Sequence, residues 1–396
     1  MSLFRLTKHL LDKMRIIYFT TACAKDDYIS FCKNWHLSLN TTIQNLHNRL
    51  IRSLALTHQI EVISVRPFSK KFCDLKMLPA STTQEGNITW HYLQIKRNRL
   101  TRFISAKRQA KKLVSKMFLE DAIILTDTLN PYLLNSSTSL AAKYNLPIIG
   151  VCNNTPSGIH NTGRSYTMFL LNAAMDLSGY ITLTSGLNEL FNEHNRANMT
   201  FEGILEDNYH QADVSKYGRY LFYNGNLDEK YGVYDLINAF KEIKDPDLKL
   251  IISGYHADTN RMDKAIEGSN IINLGMISLD EIMSFENNAI ANINPRPYSE
   301  DYDRYLIPNN TIDYLGANSI TISVRNSKLM QHFAESVIWL DSSDKDDLVN
   351  GINKALTLSN EEREHLIEET RSKANKLYSL TTMNRRMVLF LKQFIK

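Results

Sequence analysis

Read from Met14 onward, the chain alternates short apolar runs with longer segments whose apolar residues recur every three or four positions. Met14 to Phe19 is a strand by length and composition. From about Thr42 to Leu56, Ile43, Leu46, Leu50, Ile51 and Leu54 fall on one helical face, and Ile60 to Val65 is again a short apolar run. Strand, helix, strand in this order specifies parallel strands joined by helical crossovers. The grammar continues with strands at 88–95, 122–126, 147–152 and 179–183, and helices at 135–144, 166–177 and 185–191. Between Ala197 and Val214 the pattern loosens and turns polar, which predicts a linker. It then restarts, with strands at 219–223, 248–253, 270–274, 289–293, 319–324 and 337–340 and helices at 233–243 and 279–285. Tyr298 to Arg304 reads as a polar loop. From Ser343 the chain is helical, and the last helix carries a stripe of Met383, Met387, Leu391 and Phe394.

Length fits this reading, since 396 residues suffice for two ordinary domains. The first would cover residues 14–205 and the second 206–378, with a short amphipathic extension before them (Leu3, Leu6, Leu10 and Leu11) and the helix 379–396 after. No apolar run approaches the roughly 18 residues of a membrane span. The four cysteines show neither CxxC pairing nor histidine at metal spacing, so a reducing cytosol is expected, without structural metal or disulfide. The loop after the first strand, Thr20 to Tyr28, lacks G-x-G-x-x-G, which argues against a nicotinamide-dependent dehydrogenase.

Net charge is only +4, too little to imply nucleic acid, but it is unevenly spread. Lys96 to Lys116 holds nine Lys or Arg and no acid, with Leu100, Phe103, Ile104, Ala110, Leu113 and Val114 as an apolar stripe. Such a helix suits an anionic membrane surface; the plainer reading is a solvated helix face.

Two places carry candidate chemistry. The strand at Pro147–Cys152 ends in a polar loop from Asn153 to Gly158, and open α/β sheets bind ligands at such ends. The second is Ala291 to Val324: strand, polar loop, helix start at Pro308, strand. Asn309, Asn310 and Thr311 would offer backbone N–H groups to phosphate at that helix start. Asp313, one turn further, would accept from ribose hydroxyls or serve the helix dipole.

The fragments 221–240 (LFYNGNLDEKYGVYDLINAF), 248–255, 270–283, 291–297 and 308–322, in this order and spacing, resemble retaining family 4 glycosyltransferases of the GT-B fold, of the bacterial exopolysaccharide and cell-wall glycan type. Ile181 to Asn195 and the first strand and helix also resemble that family, so the similarity spans nearly the whole chain. The resemblance implies an α/β fold of two facing Rossmann-like domains with an interdomain cleft. The nucleotide-sugar would lie mainly on the second domain and the acceptor on the first, and the last helix would pack back on the first domain. It implies that Gly225 and Asn226 approach a diphosphate, that Gly275 and Met276 contact the base, and that Arg296 and Lys230 stabilise the leaving diphosphate in place of a metal. The alternative for Arg296 is an ion pair with Glu300, Asp301 or Asp303. Asn153, Asn154 and His160 are the acceptor-side candidates. Several positions depart from the family: Tyr305 and Asp313 stand where two glutamates are usual, Asn310 where a lysine is, and Lys230 is displaced one position from a lysine that usually precedes Gly232.

The expected function is transfer of a sugar from a nucleotide diphosphate-sugar, UDP-linked first, to a glycan or lipid-linked acceptor in surface polysaccharide synthesis. Cofactor and metal are not expected. The expected location is the cytoplasm, with attachment to the inner face of the cell membrane through Lys96–Lys116. The alternative is a non-catalytic subunit that stabilises an active partner glycosyltransferase.

Overall fold

The computed structural model describes residues 14–25, 27–28, 30–31, 41–66, 76–96, 98–156, 163–206, 209–255 and 258–395. The amphipathic extension and His160 lie outside them. The chain divides into two compact units, one of residues 1–204, 304–306 and 380–396, the other of residues 205–303 and 307–379. Among the described residues no helix is long and apolar enough to cross a membrane.

Among the described residues, the first unit is built on an eight-stranded sheet. Its strands are β1 (Arg15–Thr20), β2 (Ile60–Ser64), β4 (Ser81–Glu85), β5 (Ile88–Tyr92), β7 (Ala122–Asp127), β8 (Ile148–Cys152), β9 (Gly179–Thr182) and β10 (Ala197–Thr200), in spatial order β10-β9-β8-β7-β1-β2-β5-β4. Two-residue strands β3 (Met77–Leu78) and β6 (Ile95–Lys96) pair separately. All main-sheet pairs are parallel except β4 with β5. The polar run Ser81–Glu85 gives no apolar signal because it is a mostly exposed edge. Helix α1 (Thr41–Ala55) joins β1 to β2; α2 (Arg99–Val114), α3 (Pro131–Tyr144), α4 (Arg164–Ala174) and α5 (Ser185–Phe191) follow in chain order. Helix α3 begins four residues before Asn135 because the Asn130 side chain accepts from the N–H groups of Tyr132 and Leu133, and Pro131 occupies the first helical position.

The looser stretch at Ala197 is not wholly linker. Residues Ala197–Thr200 form β10 against β9, Phe201 and Ile204 are buried, and the division between units falls after Ile204. Polar side chains mask this strand because it too is a sheet edge.

Among its described residues the second unit has six parallel strands, β11 (Tyr220–Asn224), β12 (Lys249–Ser253), β13 (Ile271–Asn273), β14 (Ala291–Asn294), β15 (Ile320–Val324) and β16 (Ile338–Leu340), in the order β13-β12-β11-β14-β15-β16. Its helices are α6 (Val233–Glu242), α7 (Thr259–Ile266), α8 (Leu279–Asn288), α9 (Glu300–Tyr305), α10 (Asn309–Gly316), α11 (Ser327–Phe333), α12 (Lys345–Thr357) and α13 (Asn360–Tyr378). The polar loop expected at Tyr298–Arg304 is instead mostly helix α9, whose first turn carries Glu300, Asp301 and Asp303 at the end where acids suit the dipole.

Helix α14 (Leu380–Leu391) belongs to the first unit. Met383, Met387 and Leu391 are fully buried, Ser53 Oγ donates to the Leu380 carbonyl at 2.8 Å, and Asn384 Nδ2 donates to the Ser53 carbonyl at 2.7 Å. The apolar stripe supplies area and these bonds fix its register on α1.

Candidate active site at the strand ends

In the second unit the chain starts at β11, moves outward through β12 and β13, then returns to β14 on the other side. The reversal lies between β11 and β14, and such a switch point leaves a crevice at the carboxyl ends of parallel strands. Gly225 leaves β11 and Arg296 leaves β14, so the two flank it.

The Arg296 guanidinium carbon lies 4.2 Å from the Tyr302 ring centroid and 4.9 Å from that of Tyr231. Among the described residues no carboxylate lies within 4 Å of it. The ion pair with Glu300, Asp301 or Asp303 is therefore not formed, and Asp303 accepts from the N–H and hydroxyl of Ser327 instead. Tyr302 is buried, and burial pushes its phenol up to about 12, so it stays neutral beside the cation. A guanidinium held on ring faces keeps its charge and donors for an anion. Lys230 is exposed in a one-turn 3-10 helix (Glu229–Tyr231), with its ammonium 5.1 Å from the same Tyr231 ring. Tyr231 thus joins both predicted cations. Sequence reasoning passed over Tyr231 and Tyr302, because an aromatic acting as a shelf has no motif.

Glycines bring these loops together. Gly232 has φ +77°, and a Cβ there would sit 2.0 Å from the Pro295 carbonyl oxygen, so the α6 start reaches the Arg296 loop only without a side chain. The predicted backbone roles of two other glycines need correction. The Gly225 N–H donates to the Ser253 carbonyl at 2.9 Å. Gly275 N–H donates to Asn273 Oδ1, and its carbonyl accepts from the Gly254 N–H and the Ser253 hydroxyl. Both stitch the strand-end loops to each other, so these hydrogen-bonding groups are committed to the fold rather than to a ligand. Asn226 turns its loop, its Oδ1 accepting from the Asp228 N–H and its carbonyl from the Tyr223 hydroxyl. Met276 is 56% exposed.

Helix α10 starts at Asn309 with Pro308 as its N-cap, which contributes no side-chain cap bond. Asn310 is tied inward, its Nδ2 donating to the Asn224 carbonyl and its Oδ1 accepting from the Thr311 N–H, so neither Asn310's amide nor Thr311's N–H is directed to a ligand. Buried Tyr314 accepts from the Asn224 N–H at 2.9 Å and donates to its carbonyl at 3.2 Å. These bonds clamp α10 to the end of β11. Tyr314→Phe keeps the apolar volume but leaves that N–H unpaired, and a loss of about 1–2 kcal/mol is expected in urea unfolding. A loss below about 0.5 kcal/mol would mean the clamp is idle. Asp313 is buried and lies beyond the first turn, where the helix dipole has faded, so the dipole reading loses its basis.

A depression of about 900 Å³ opens at the other end of these strands, beside the starts of β11, β14 and β15. Its arginines are engaged: Arg219 with Asp245, Arg363 with the Ile290 and Ala355 carbonyls, Arg371 with Asn318.

In the first unit the ends of β7 and β8 place Asp127 and Asn153 beside His47 of α1. Asn153 Nδ2 lies 3.0 Å from His47 Nε2, Tyr18 Oη 2.6 Å from His47 Nδ1, and Asp127 Oδ2 3.8 Å from Nε2. With the amide donating to Nε2, the imidazole carries its proton on Nδ1 and donates to Tyr18. Burial lowers the His47 pKa and raises that of Asp127. Asn153 Oδ1 is buried with no hydrogen-bond partner among the described residues, an acceptor left open at a strand end. Asn154 only turns the loop, its Oδ1 accepting from the Thr155 N–H. His47 escaped the sequence reading because α1 carries it and the fold alone brings it to Asn153, more than a hundred residues away.

Cys152, beside this set, is fully buried, and its thiol is pushed up to about 12. At pH 8 it is protonated, so iodoacetamide is expected to leave Cys152 unmodified in the folded chain and to label it in guanidinium. Peptide mass mapping reads the difference. Among the described residues no group of three His, Cys, Asp or Glu side chains is placed to hold a metal ion.

Residues 206–373 match the family described as "Glycosyl transferases group 1". No curated protein matches the sequence. Among solved structures, sucrose-phosphate synthase from Thermosynechococcus elongatus aligns with a TM-score of 0.67 at 11% identity, covering 96% of this chain and 99% of that one. An E. coli structure described as trehalose-6-phosphate bound with UDP-2-fluoro glucose aligns at 0.63 and 12%, covering 96% and 99%. The trehalose-6-phosphate phosphatase N-terminal domain of Candida albicans aligns at 0.67 and 14%, covering 97% and 98%. The chain therefore has the GT-B fold, and the greater part of its second unit is similar to the group 1 glycosyl transferases.

Proposed function

We propose that this protein is a glycosyltransferase that moves a sugar from a nucleotide diphosphate-sugar to a glycan or lipid-linked acceptor, with retention at the anomeric carbon. The observation that carries the reading is Arg296, a guanidinium at the switch point, stacked on Tyr231 and Tyr302 with no carboxylate within 4 Å among the described residues. Breaking the glycosidic bond puts negative charge on the leaving diphosphate. Arg296 and Lys230 would stabilise that charge in place, and fixed donors of this kind lower the barrier most. Transfer is accordingly expected to persist in EDTA. The similarity of residues 206–373 to group 1 glycosyl transferases supports the donor side. One structural neighbour was solved with UDP-2-fluoro glucose, so UDP-glucose is the first donor to test. In the first unit, Asn153 Oδ1 would accept from a sugar hydroxyl, with His47 holding the amide in place.

The test is binding and turnover across a panel of UDP-, GDP- and ADP-sugars. Binding of one donor with release of its nucleoside diphosphate supports the reading, and no detectable binding at about 1 mM, weaker than roughly 4 kcal/mol, overturns it. A second reading, a non-catalytic subunit of an active transferase, is favoured by Asn310, which stands at a usual lysine position and is tied to the Asn224 carbonyl. That reading requires a complex whose activity is unchanged by Arg296→Ala with Asp313→Ala.

A further inference from the structure

Three neighbouring helices of the first unit carry no acidic residue, and the next helix on that side, α5, adds only Glu189. In its sheet the connections from β5 to β7, β7 to β8 and β8 to β9 all progress in one direction, opposite to that from β1 to β2. Right-handed crossovers therefore place α2, α3 and α4 on one side of the sheet and α1 on the other. Helix α2 packs on α3, and α3 on α4. These three helices contain no Asp or Glu, whereas they carry Arg99, Arg102, Lys107, Arg108, Lys111, Lys112, Lys143 and Arg164. A solvated helix layer ordinarily mixes signs.

On α2, Ala106, Ala110 and Val114 are buried, and the opposite arc exposes Ile104, Lys107, Arg108, Lys111 and Lys112. Among the described residues none of these four cations has a carboxylate within 4 Å. The same layer exposes large apolar side chains: Ile104 is 50% accessible, Met168 48% and Phe169 46%. Ile104 and Met168 lie in the N-terminal halves of α2 and α4 and Phe169 at the middle of α4, toward the end of the sheet where the strands finish. The layer thus presents an apolar rim at one end and a run of unpaired cations along α2.

We infer that this face docks on an anionic phospholipid bilayer, the cations over the headgroups and Ile104, Met168 and Phe169 entering the acyl boundary. Exposed aliphatic side chains alongside unpaired cations fit a bilayer better than a nucleic acid, which asks for charge with stacking platforms. This inference is independent of the catalytic reading.

The test is flotation of the full chain with vesicles of phosphatidylcholine alone and with about 30 mol % phosphatidylglycerol. Binding is expected to the second only, and to fall steeply at about 0.5 M salt. At about fivefold in partition per basic residue, a chain with Lys107→Glu, Arg108→Glu, Lys111→Glu and Lys112→Glu should bind more than a hundredfold more weakly. A second variant, Ile104→Ser with Phe169→Ser, should weaken binding roughly tenfold while leaving the salt dependence intact. All these side chains are exposed or nearly half-exposed, so circular dichroism and melting should match the parent. Equal flotation with both vesicle types, unchanged flotation of the charge-reversed chain, or displacement from vesicles by an equal charge of single-stranded DNA would each overturn the proposal.

Discussion

Arg296→Ala is expected to lower sugar transfer by roughly two to three orders of magnitude while leaving the fold intact, the loss typical when one fixed donor to developing charge is removed. The side chain stands on Tyr231 and Tyr302 and forms no ion pair among the described residues, so its removal leaves no buried charge behind. A stability cost near the value of its ring contacts, about 0.5–2 kcal/mol, is the most expected. Arg296→Lys separates charge from geometry. An ammonium keeps the charge but cannot lie flat on two rings while presenting a fork to phosphate, so most of the activity should still be lost. The kinetic form matters as much as the size. A group that acts on the leaving diphosphate lowers kcat and kcat/KM together, whereas one that only binds donor raises KM. If both variants turn over a donor within about threefold of the parent, Arg296 is not the diphosphate clamp.

Gly254→Ala should cost more than 3 kcal/mol, or displace the strand-end loops and abolish donor binding. The residue has φ +147°, and a Cβ would sit 1.6 Å from the carbonyl oxygen of Gly225, a backbone atom that cannot rotate away. The control is Gly268→Ala, with φ +67° and open space around the added carbon. Only left-handed strain is paid there, about 1 kcal/mol. Urea unfolding of the two variants distinguishes a close approach from mere conformational strain, and equal costs would refute the close approach.

Much of the fold was legible before any coordinates. Buried parallel strands are continuous apolar runs, and the helices between them repeat every three to four residues, so Leu248–Ser253 and Val233–Ile243 announce themselves. Elements at edges or on the surface do not. Ser81–Glu85 and Ala197–Thr200 are sheet edges with polar side chains, and α9 is a single polar helix between prolines. The site was legible as positions more than as roles. Arg296 and Lys230 do share the Tyr231 ring, but Gly225 and Gly275 spend the hydrogen-bonding groups that a ligand would need, and Asn310 is clamped to Asn224. A glycine in a sequence says that a side chain is excluded, not whether ligand or neighbouring backbone excludes it.

The sequence by itself determined two α/β units, the order of their strands along the chain, and a strand-to-helix start near Pro308, because periodicity and capping are local properties. Only the tertiary structure decided that Tyr231 and Tyr302 support Arg296, that His47 meets Asn153, and that three acid-free helices form one face. Each of these joins residues far apart in the chain, or depends on which way a side chain turns once the sheet has formed, and neither is written in local spacing.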